Sequence, residues 1–204
     1  NFKPSWIDDK NFKVRPTDFS VDPLAYANFM NTIFDEWIKE DVTKVSIRMF
    51  DSLLARFSGY EQTLCVFKES CGGNNVAVES DGTLYQCDHF VYPEKEFKIG
   101  NFNDFSLSEI EEKTKLLSDK KKDISSKCKE CKWLELCHGG CPKHRFVNLK
   151  DSDERISYFC TAYQNIFEHI TPGLNLIVEF KEKHIPWELF PIAIKKLYMS
   201  QDKK

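Results

Sequence analysis

The stretch CKECKWLELCHGGC, residues 128–141, decides the fold, because its four cysteines follow the spacing Cys-x2-Cys-x5-Cys-x3-Cys. The other four cysteines of the chain are Cys65, Cys71, Cys87 and Cys160. A site of four thiolates, for zinc or for an iron–sulfur cluster, combines close pairs of this kind with distant partners that the fold supplies. The eight cysteines therefore predict two sites of four ligands each.

The spacing alone leaves the identity of the metal open. A zinc ribbon usually closes with two similar Cys-x2-Cys knuckles, whereas this chain has one such pair and uneven spacing elsewhere, which favours iron–sulfur clusters. Zinc remains an alternative, as do disulfides and free thiols. The chain begins without the apolar stretch of a secretory signal, so a reducing, cytoplasmic location is expected, where clustered cysteines are more often metal ligands than disulfides.

Composition excludes several classes of function. With 204 residues, 41% hydrophobic and 14% aromatic, the chain is long and apolar enough to bury a core as one domain or two small ones. Its 29 basic and 32 acidic residues give a net charge of −3, which argues against a nucleic-acid partner. The sequence has no apolar run of the roughly 20 residues that cross a bilayer, so no membrane partner is expected. The first residue is Asn1 rather than Met, which suggests a piece of a longer protein.

Three local patterns precede the cysteines. Asp22 and Pro23 form a cap and first-turn proline, and the apolar residues of 26–38 recur every three or four positions, which predicts a helix. Alternation of apolar and polar residues over 45–50 predicts a short strand, and 50–57 a short helical segment.

The next pattern is a β-hairpin. Residues 76–80 and 83–87 read as two strands, and Asp81-Gly82 between them predicts a tight type I′ turn. This hairpin places Cys87 and Asp88 at the end of a strand, where backbone hydrogen bonds fix their position.

A helix is predicted after the hairpin. Ser106 and Glu109 have the spacing of a capping box and open a helix through about Leu117. The lysine run 120–122 stands among acidic residues and is interpreted as a solvated surface turn.

The last predicted amphipathic helix covers residues 159–170 and ends at Pro172-Gly173. The residues after it carry no recognisable chemistry.

Taken together, these motifs resemble the SPASM domain of radical S-adenosylmethionine (radical SAM) enzymes, and most closely that of the anaerobic sulfatase-maturating enzymes. The resemblance spans roughly residues 20 to 170 and includes all eight cysteines. The segments that carry it are CVFKESCGG (65–73), ESDGTLYQCDHFVYP (79–93), IGN (99–101) and the stretch 128–142.

The resemblance implies an α+β fold, a small cluster-binding domain with β-hairpins and helices that follows the end of a radical SAM partial (β/α) barrel. In these terms residues 1–62 end the barrel and form a linker, residues 63–172 form the SPASM domain, and residues 173–204 are a C-terminal extension.

The resemblance also implies two auxiliary 4Fe-4S clusters with interleaved ligands. The first would take Cys65, Cys71, Cys87 and Cys141, and the second Cys128, Cys131, Cys137 and Cys160. Four thiolates leave no open iron, which points to electron transfer or structural support.

Residues near the cysteines are candidates for supporting roles. His138, Lys143, His144 and Arg145 either tune the cluster potentials or are merely exposed. His89 and Tyr92 are predicted to pack or to form hydrogen bonds.

In the family, the Asp that follows the third cysteine is the general base that deprotonates the substrate, which gives this role to Asp88. A carboxylate beside an anionic cluster is expected to have a raised pKa. Considered without the resemblance, Asp88 would be an ordinary turn residue.

The implied reaction is oxidation of a sulfatase cysteine or serine to Cα-formylglycine. S-adenosylmethionine and a third 4Fe-4S cluster, bound by a Cys-x3-Cys-x2-Cys motif, are expected in an N-terminal radical SAM domain. Here Cys137-x3-Cys141 is followed by His144 where that motif has its last cysteine. The chain alone is therefore expected to be inactive, with that domain, an external electron donor and a sulfatase or other peptide substrate as partners.

Two alternatives stay open at this point. One is the SPASM domain of a radical SAM enzyme that modifies a different peptide. The other is a zinc-stabilised peptide-binding module.

Overall fold

A computed structural model describes residues 16–71, 76–91 and 97–201 of the chain. The chain divides into two compact units. Asn1–Leu64 and Tyr158–Lys204 form one, here called the helical unit, and Cys65–Ser157 form the other, here called the cysteine-rich unit.

Helices and small antiparallel sheets make up the described residues, which confirms the predicted α+β class. The helices are α1 (Pro23–Glu36), α2 (Arg48–Phe57), α3 (Leu107–Lys113), α4 (Lys115–Lys122), α5 (Ser126–Lys129), α6 (Leu134–Cys137), α7 (Cys160–Glu182) and α8 (Phe190–Gln201). The strands are β1 (Ala77–Val78), β2 (Thr83–Tyr85), β3 (Lys98–Asn101), β4 (Arg145–Asn148) and β5 (Arg155–Ser157). One sheet has the order β1-β2-β3 and the other pairs β4 with β5.

The helical unit begins as predicted. Asp22 Oδ1 accepts hydrogen bonds from the backbone N–H groups of Leu24 and Ala25 at 2.8 and 3.0 Å, which caps α1. A π-helical segment, Trp37–Asp41, extends α1. The fully buried Phe34 lies at the centre of this unit, with its ring edge-on to Phe50 at 5.1 Å between centroids.

The predicted strand over residues 45–50 was wrong, because α2 begins at Arg48. The buried residues Met49, Phe50 and Leu53 recur at helical spacing, and this apolar face outweighs the short alternation before it. The Ser46 hydroxyl bonds to the Asp51 carboxylate just where the helix starts.

The predicted helix end at Pro172-Gly173 was also wrong. Helix α7 runs without interruption from Cys160 to Glu182 with Pro172 inside it. Gly173 is buried against α1, where an added Cβ would lie 2.5 Å from Ile38 Cδ1. The predicted domain boundary after residue 172 therefore falls within a single helix.

In the cysteine-rich unit the predicted hairpin is confirmed, with Ala77 opposite Tyr85 and Val78 opposite Leu84. The turn is not the predicted type I′. Gly82 has a φ of +81° whereas Asp81 does not have a positive φ, and Glu79 N–H bonds to Thr83 O at 2.9 Å. The loop is thus longer by one residue and has its glycine at the left-handed position.

The capping box of α3 is confirmed, since Glu109 Oε2 accepts from the Ser106 N–H at 2.9 Å. The helix breaks at Thr114, and α4 follows from Lys115. Leu117 therefore belongs to a second helix.

Two small apolar clusters support the hairpin and these helices. One contains Leu84, Ile99 and Ile110, with Phe105 against it. The other contains Phe90, Phe97 and Leu117, and the cysteines Cys71 and Cys87 pack against it.

Across the part of the chain that the structure describes, helices are too short or too polar to cross a bilayer.

Candidate metal centre

Two cysteines of the first predicted set, Cys65 and Cys87, lie at the start of short 3-10 turns. Cys65 opens a 3-10 turn that ends at Phe67. Cys87 follows β2 and precedes a second 3-10 turn, Asp88–Phe90, whose first N–H groups it approaches. Cys71 and Cys87 both pack against the apolar cluster around Leu117, so a shared surface fixes these two sulfur atoms.

The fourth member, Cys141, is buried and electrostatically linked to the other three. The pKa of Cys141 is raised to about 11, mainly by burial and in part by the neighbouring thiols of Cys71 and Cys65. Burial likewise raises the pKa of Cys87 to about 12, with contributions from Asp88 and Cys141. The structure therefore brings Cys65, Cys71, Cys87 and Cys141 into one neighbourhood, although their residue numbers are far apart.

Three members of the second predicted set lie in the cysteine-rich unit. Cys128 lies in α5, and its N–H bonds to Ser125 Oγ at 3.3 Å. The Trp133 N–H bonds to Cys131 Sγ at 3.5 Å, and Cys137 ends α6. These three sulfur atoms are carried by two short helices and the turn between them.

The last member of that set, Cys160, belongs to the helical unit. It is the first residue of α7, and Gln164 Nε2 donates to its sulfur at 3.7 Å from the next helical turn. Its ligation together with Cys128, Cys131 and Cys137 stays a prediction.

The described part of the chain contains no group of three Cys, His, Asp or Glu side chains that could hold a single metal ion. Tetrahedral zinc requires its thiolates at about 2.3 Å from one ion. In a 4Fe-4S cluster each thiolate binds a different iron atom at a separate corner. A looser gathering of thiols is therefore compatible with a cluster and differs from a closed zinc site.

The lysine run 120–122 was wrongly interpreted as a solvated turn. It forms the last turn of α4, and Lys121 is only 1% exposed. Lys121 Nζ donates to the carbonyl oxygens of Val66 and Gly140, at 3.0 and 2.6 Å. The position follows from helical spacing, because Thr114, Leu117 and Lys121 share one buried face.

Among the four candidates for supporting roles, Arg145 is held by several hydrogen bonds. Its guanidinium donates to backbone carbonyl oxygens of the 138–140 loop and of the end of α4. It is thus a structural donor to the loop between two cysteines rather than an exposed cation. Burial lowers the pKa of His144 to about 4, so its ring is neutral at physiological pH.

Asp88 is exposed at the end of β2. Cys87 Sγ donates to Asp88 Oδ1 at 3.2 Å, and this hydrogen bond is the main reason that the pKa of Asp88 is lowered. The predicted rise of its pKa was therefore wrong for this state of the protein, in which the side chain is solvated and faces a thiol rather than an anion.

His89 contacts two of the cysteines. Its N–H bonds to Cys87 Sγ at 3.5 Å, and its Nδ1 lies 3.6 Å from Cys141 Sγ. The hydrogen-bonding role predicted for His89 is thus present. Tyr92, which was given a similar role, lies outside the described residues, as do the adjacent Pro93 and the Gly72-Gly73 pair.

A known family matches part of the cysteine-rich unit. Residues 65–132 match SPASM, an iron–sulfur cluster-binding domain. The cysteine-rich unit is thus similar to a SPASM domain over these residues. The match starts at Cys65, the first residue of that unit, and ends just after Cys131.

Similar proteins extend the likeness beyond the SPASM domain. Over 163 residues the chain is 40% identical to a serine-type anaerobic sulfatase-maturating enzyme of Bacteroides thetaiotaomicron, covering 78% of this chain and 39% of that enzyme. It is 35% identical to a cysteine-type enzyme of Clostridium perfringens, covering 77% of this chain and 42% of that enzyme. The chain thus spans about two fifths of these relatives.

Solved structures of one such enzyme are similar to this chain in fold. Native anSMEcpe with bound AdoMet has a TM-score of 0.72 at 29% identity, covering 87% of this chain and 47% of that one. The same enzyme with AdoMet and the Cp18Cys peptide gives 0.71, at the same identity and with 87% and 48% covered. The chain is therefore similar in sequence and in fold to part of these anaerobic sulfatase-maturating enzymes.

Two residues of the SPASM domain were missed by sequence reasoning. Gln86 is 3% exposed and its Oε1 accepts from the Leu117 N–H at 3.0 Å, next to Cys87. Lys121 was discounted because of its charge, although its helical spacing marks a buried position. Sequence gives no comparable signal for Gln86, whose partner lies 31 residues away.

Proposed function

We propose that this chain is the auxiliary-cluster part of a radical SAM enzyme that oxidises a cysteine or serine side chain of a sulfatase to Cα-formylglycine. The proposal is carried by the electrostatic link of Cys141 to Cys65, Cys71 and Cys87, three cysteines within the region that matches a SPASM domain. The similar serine-type and cysteine-type sulfatase-maturating enzymes support the reaction class.

Two 4Fe-4S clusters fit the cysteines of the chain. The first would be held by Cys65, Cys71, Cys87 and Cys141, and the second by Cys128, Cys131, Cys137 and Cys160. Thiolates are the usual ligands of such clusters, which supply one-electron transfer when bound. Burial keeps the metal-free thiols of Cys87 and Cys141 protonated at neutral pH, so cluster assembly would release protons.

Asp88 would act as the general base toward the substrate thiol or hydroxyl. Its carboxylate is exposed and its backbone is held at the end of β2, so a substrate side chain has access to it. Once Cys87 is a thiolate ligand it has no proton to donate to Asp88. The contact that now lowers the pKa of Asp88 would then be gone.

The remaining machinery would be supplied by partners. An N-terminal radical SAM domain would hold S-adenosylmethionine and a third cluster, and an external donor would supply electrons. Solved relatives contain AdoMet, and two of them contain peptides, which supports a peptide substrate. Air-sensitive chemistry of this kind suits a reducing, cytoplasmic compartment.

The zinc-stabilised module is a weaker candidate, because residues 65–132 match an iron–sulfur cluster-binding domain. An enzyme that modifies another peptide would share the same cysteines and would differ in its substrate.

Anaerobic reconstitution of the chain with iron and sulfide, followed by metal analysis and Mössbauer spectroscopy, tests the proposal. We expect about eight irons and eight sulfides per chain, with about four lost in Cys65→Ala and about four in Cys128→Ala. The control is Ser70→Ala, an exposed position next to Cys71, which should keep the full content. Stoichiometric zinc without a cluster signal would contradict the proposal.

Substrate identity needs the complete enzyme. Incubation of the full-length protein and S-adenosylmethionine with a cysteine-containing and a serine-containing sulfatase peptide should give the formylglycine mass in at least one of them. Activity toward neither peptide, in an enzyme that cleaves S-adenosylmethionine, would favour a different peptide substrate.

A further inference from the structure

Lys121 joins the two loops that carry Cys65 and Cys141. Its Nζ donates to the carbonyl oxygen of Val66, directly after Cys65, and to that of Gly140, directly before Cys141. The side chain is 1% exposed, so water does not solvate the ammonium group. A single buried cation thus connects segments that are far apart in sequence.

Arg145 fixes the same loop from the other side. Its Nε bonds to Gly139 O at 2.9 Å, and its Nη2 bonds to the carbonyl oxygens of His138 and Gly140 at 3.0 and 3.1 Å. Further bonds reach the carbonyl oxygens of Lys120, Lys121 and Asp123 at the end of α4. Lys121 and Arg145 therefore share Gly140 O as an acceptor.

Two cations at one carbonyl oxygen repel each other, and burial adds a desolvation cost. The pKa of Lys121 is lowered to about 8, mainly by burial and next by the positive charge of Arg145. The groups that favour the charge of Lys121 are the thiols of Cys137, Cys141 and Cys71 in their ionised form.

Arg145 has similar neighbours. Cys128, Cys141 and Cys137 favour its charged form, followed by Asp123. Each cation thus has neighbours in both predicted ligand sets. An oxidised 4Fe-4S cluster with four thiolates has a net charge of about −2, which would offset two buried positive charges.

We infer that Lys121 and Arg145 are a buried cationic pair that positions the cysteine loops and offsets the negative charge of both clusters, which raises their reduction potentials. The inference rests on the proposed cluster binding. Its physical basis is that reduction adds negative charge, so a nearby buried cation favours the reduced state.

Three substitutions at Lys121 separate positioning from charge in the reconstituted full chain. Lys121→Gln retains a hydrogen-bond donor without charge, Lys121→Met has neither, and Lys121→Arg retains both. The matched control is Lys122→Met, which removes the same charge from an exposed neighbour. Iron content and the midpoint potentials from an EPR-monitored redox titration are measured for each.

We expect Lys121→Gln to retain iron with both midpoint potentials shifted to more negative values. Lys121→Met should lose iron, whereas Lys121→Arg and Lys122→Met should match the unsubstituted chain in iron content and potentials. Unchanged potentials in Lys121→Gln at full iron content would overturn the charge role. Iron loss in Lys121→Arg as complete as in Lys121→Met would overturn it as well, because a cation would then not suffice.

These results are distinguishable from failure of the proposed function. If the unsubstituted chain takes up no iron and sulfide, cluster binding itself is wrong, whatever the variants do. If it takes up iron and the Lys121 variants all behave like Lys122→Met, only the inference about the cationic pair is wrong.

Discussion

Gln86 caps a helix that begins 29 residues later in the chain: its Oε1 accepts from the Leu117 N–H, in the first turn of α4, at 3.0 Å. The first N–H groups of a helix have no partner within it, and a buried one is costly if it is left unpaired. Gln86 therefore joins the strand end next to Cys87 to the helix that carries Lys121.

Gln86→Leu should destabilise the cysteine-rich unit by about 1–3 kcal/mol, because the Leu117 N–H stays buried without an acceptor. Urea unfolding of the metal-free chain, monitored by circular dichroism, measures the change. Gln86→Glu keeps an acceptor oxygen and should lose less at a pH where its side chain is neutral, because a buried carboxylate has a desolvation cost. Equal midpoints for Gln86→Leu and the unsubstituted chain would show that water or another group satisfies that N–H.

Gly139→Ala should destabilise the same unit by about 1–3 kcal/mol, the usual range for strained backbone. Gly139 has a φ of +72°, and an added Cβ would lie 2.8 Å from Ile124 Cγ2 and 3.0 Å from Arg145 Nη2. Gly59→Ala is the matched control, since Gly59 has a φ of +82° with open space around it. Gly59→Ala should lower the free energy of unfolding through backbone strain alone. If Gly139→Ala lowers it by no more than Gly59→Ala does, the predicted steric clash at Gly139 is wrong.

Acidification should weaken the hydrogen bonds that hold the first residue of α5, Ser126, to Glu154. Glu154 accepts hydrogen bonds from Ser126 N–H and Oγ at 3.0 and 2.6 Å, and these bonds lower the pKa of its carboxyl from the ordinary 4.5. Because the pKa is lowered on folding, the ionised Glu154 contributes to the free energy of unfolding above the ordinary pKa of 4.5. This stabilisation is lost as the pH falls through the folded-state pKa. In a pH series of thermal melts, Glu154→Gln should flatten the acid-side slope, and a slope identical to that of the unsubstituted chain would rule out this contribution.

Asp88→Asn should abolish formylglycine formation in the full-length enzyme while leaving iron content unchanged. The substitution keeps the shape of the side chain and removes its capacity to accept a proton. Mass spectrometry of a sulfatase peptide and iron analysis are the two readouts. Retention of full activity would exclude Asp88 as the base, and loss of iron would show that it acts on the cysteine loop instead.

Helical periodicity predicted α1 and the start of α7 because their apolar faces are long and uninterrupted. The same rule failed for residues 45–50, where a six-residue alternation is too short to distinguish a strand from the approach to α2. It failed again at Pro172, which α7 accommodates because α1 packs closely over Gly173. In both cases tertiary packing decided the outcome.

The candidate site shows the same division. Cysteine spacing predicted two sites of four ligands, and the resemblance to SPASM domains implied the set Cys65, Cys71, Cys87 and Cys141. The structure makes Cys141 an electrostatic neighbour of the other three, and their ligation of one cluster stays a prediction. The prediction that Lys121 is solvated was wrong. It was based on the run of three lysines, which is normally exposed. The burial of Lys121 depends on carbonyl oxygens from two distant loops, and a pattern in one segment holds no information about those partners.

The helical unit is discontinuous, since all of Cys65–Ser157 is inserted between its two parts. To form it, the chain must bring α1 and α7 together across this insertion, and the entropy lost in closing such a loop is larger when the insertion is unfolded. Any ligand that orders the insertion therefore shortens the effective tether between α1 and α7. On the proposed cluster binding, loss of iron would then loosen the helical unit as well, although just one of the eight cysteines, Cys160, belongs to that unit.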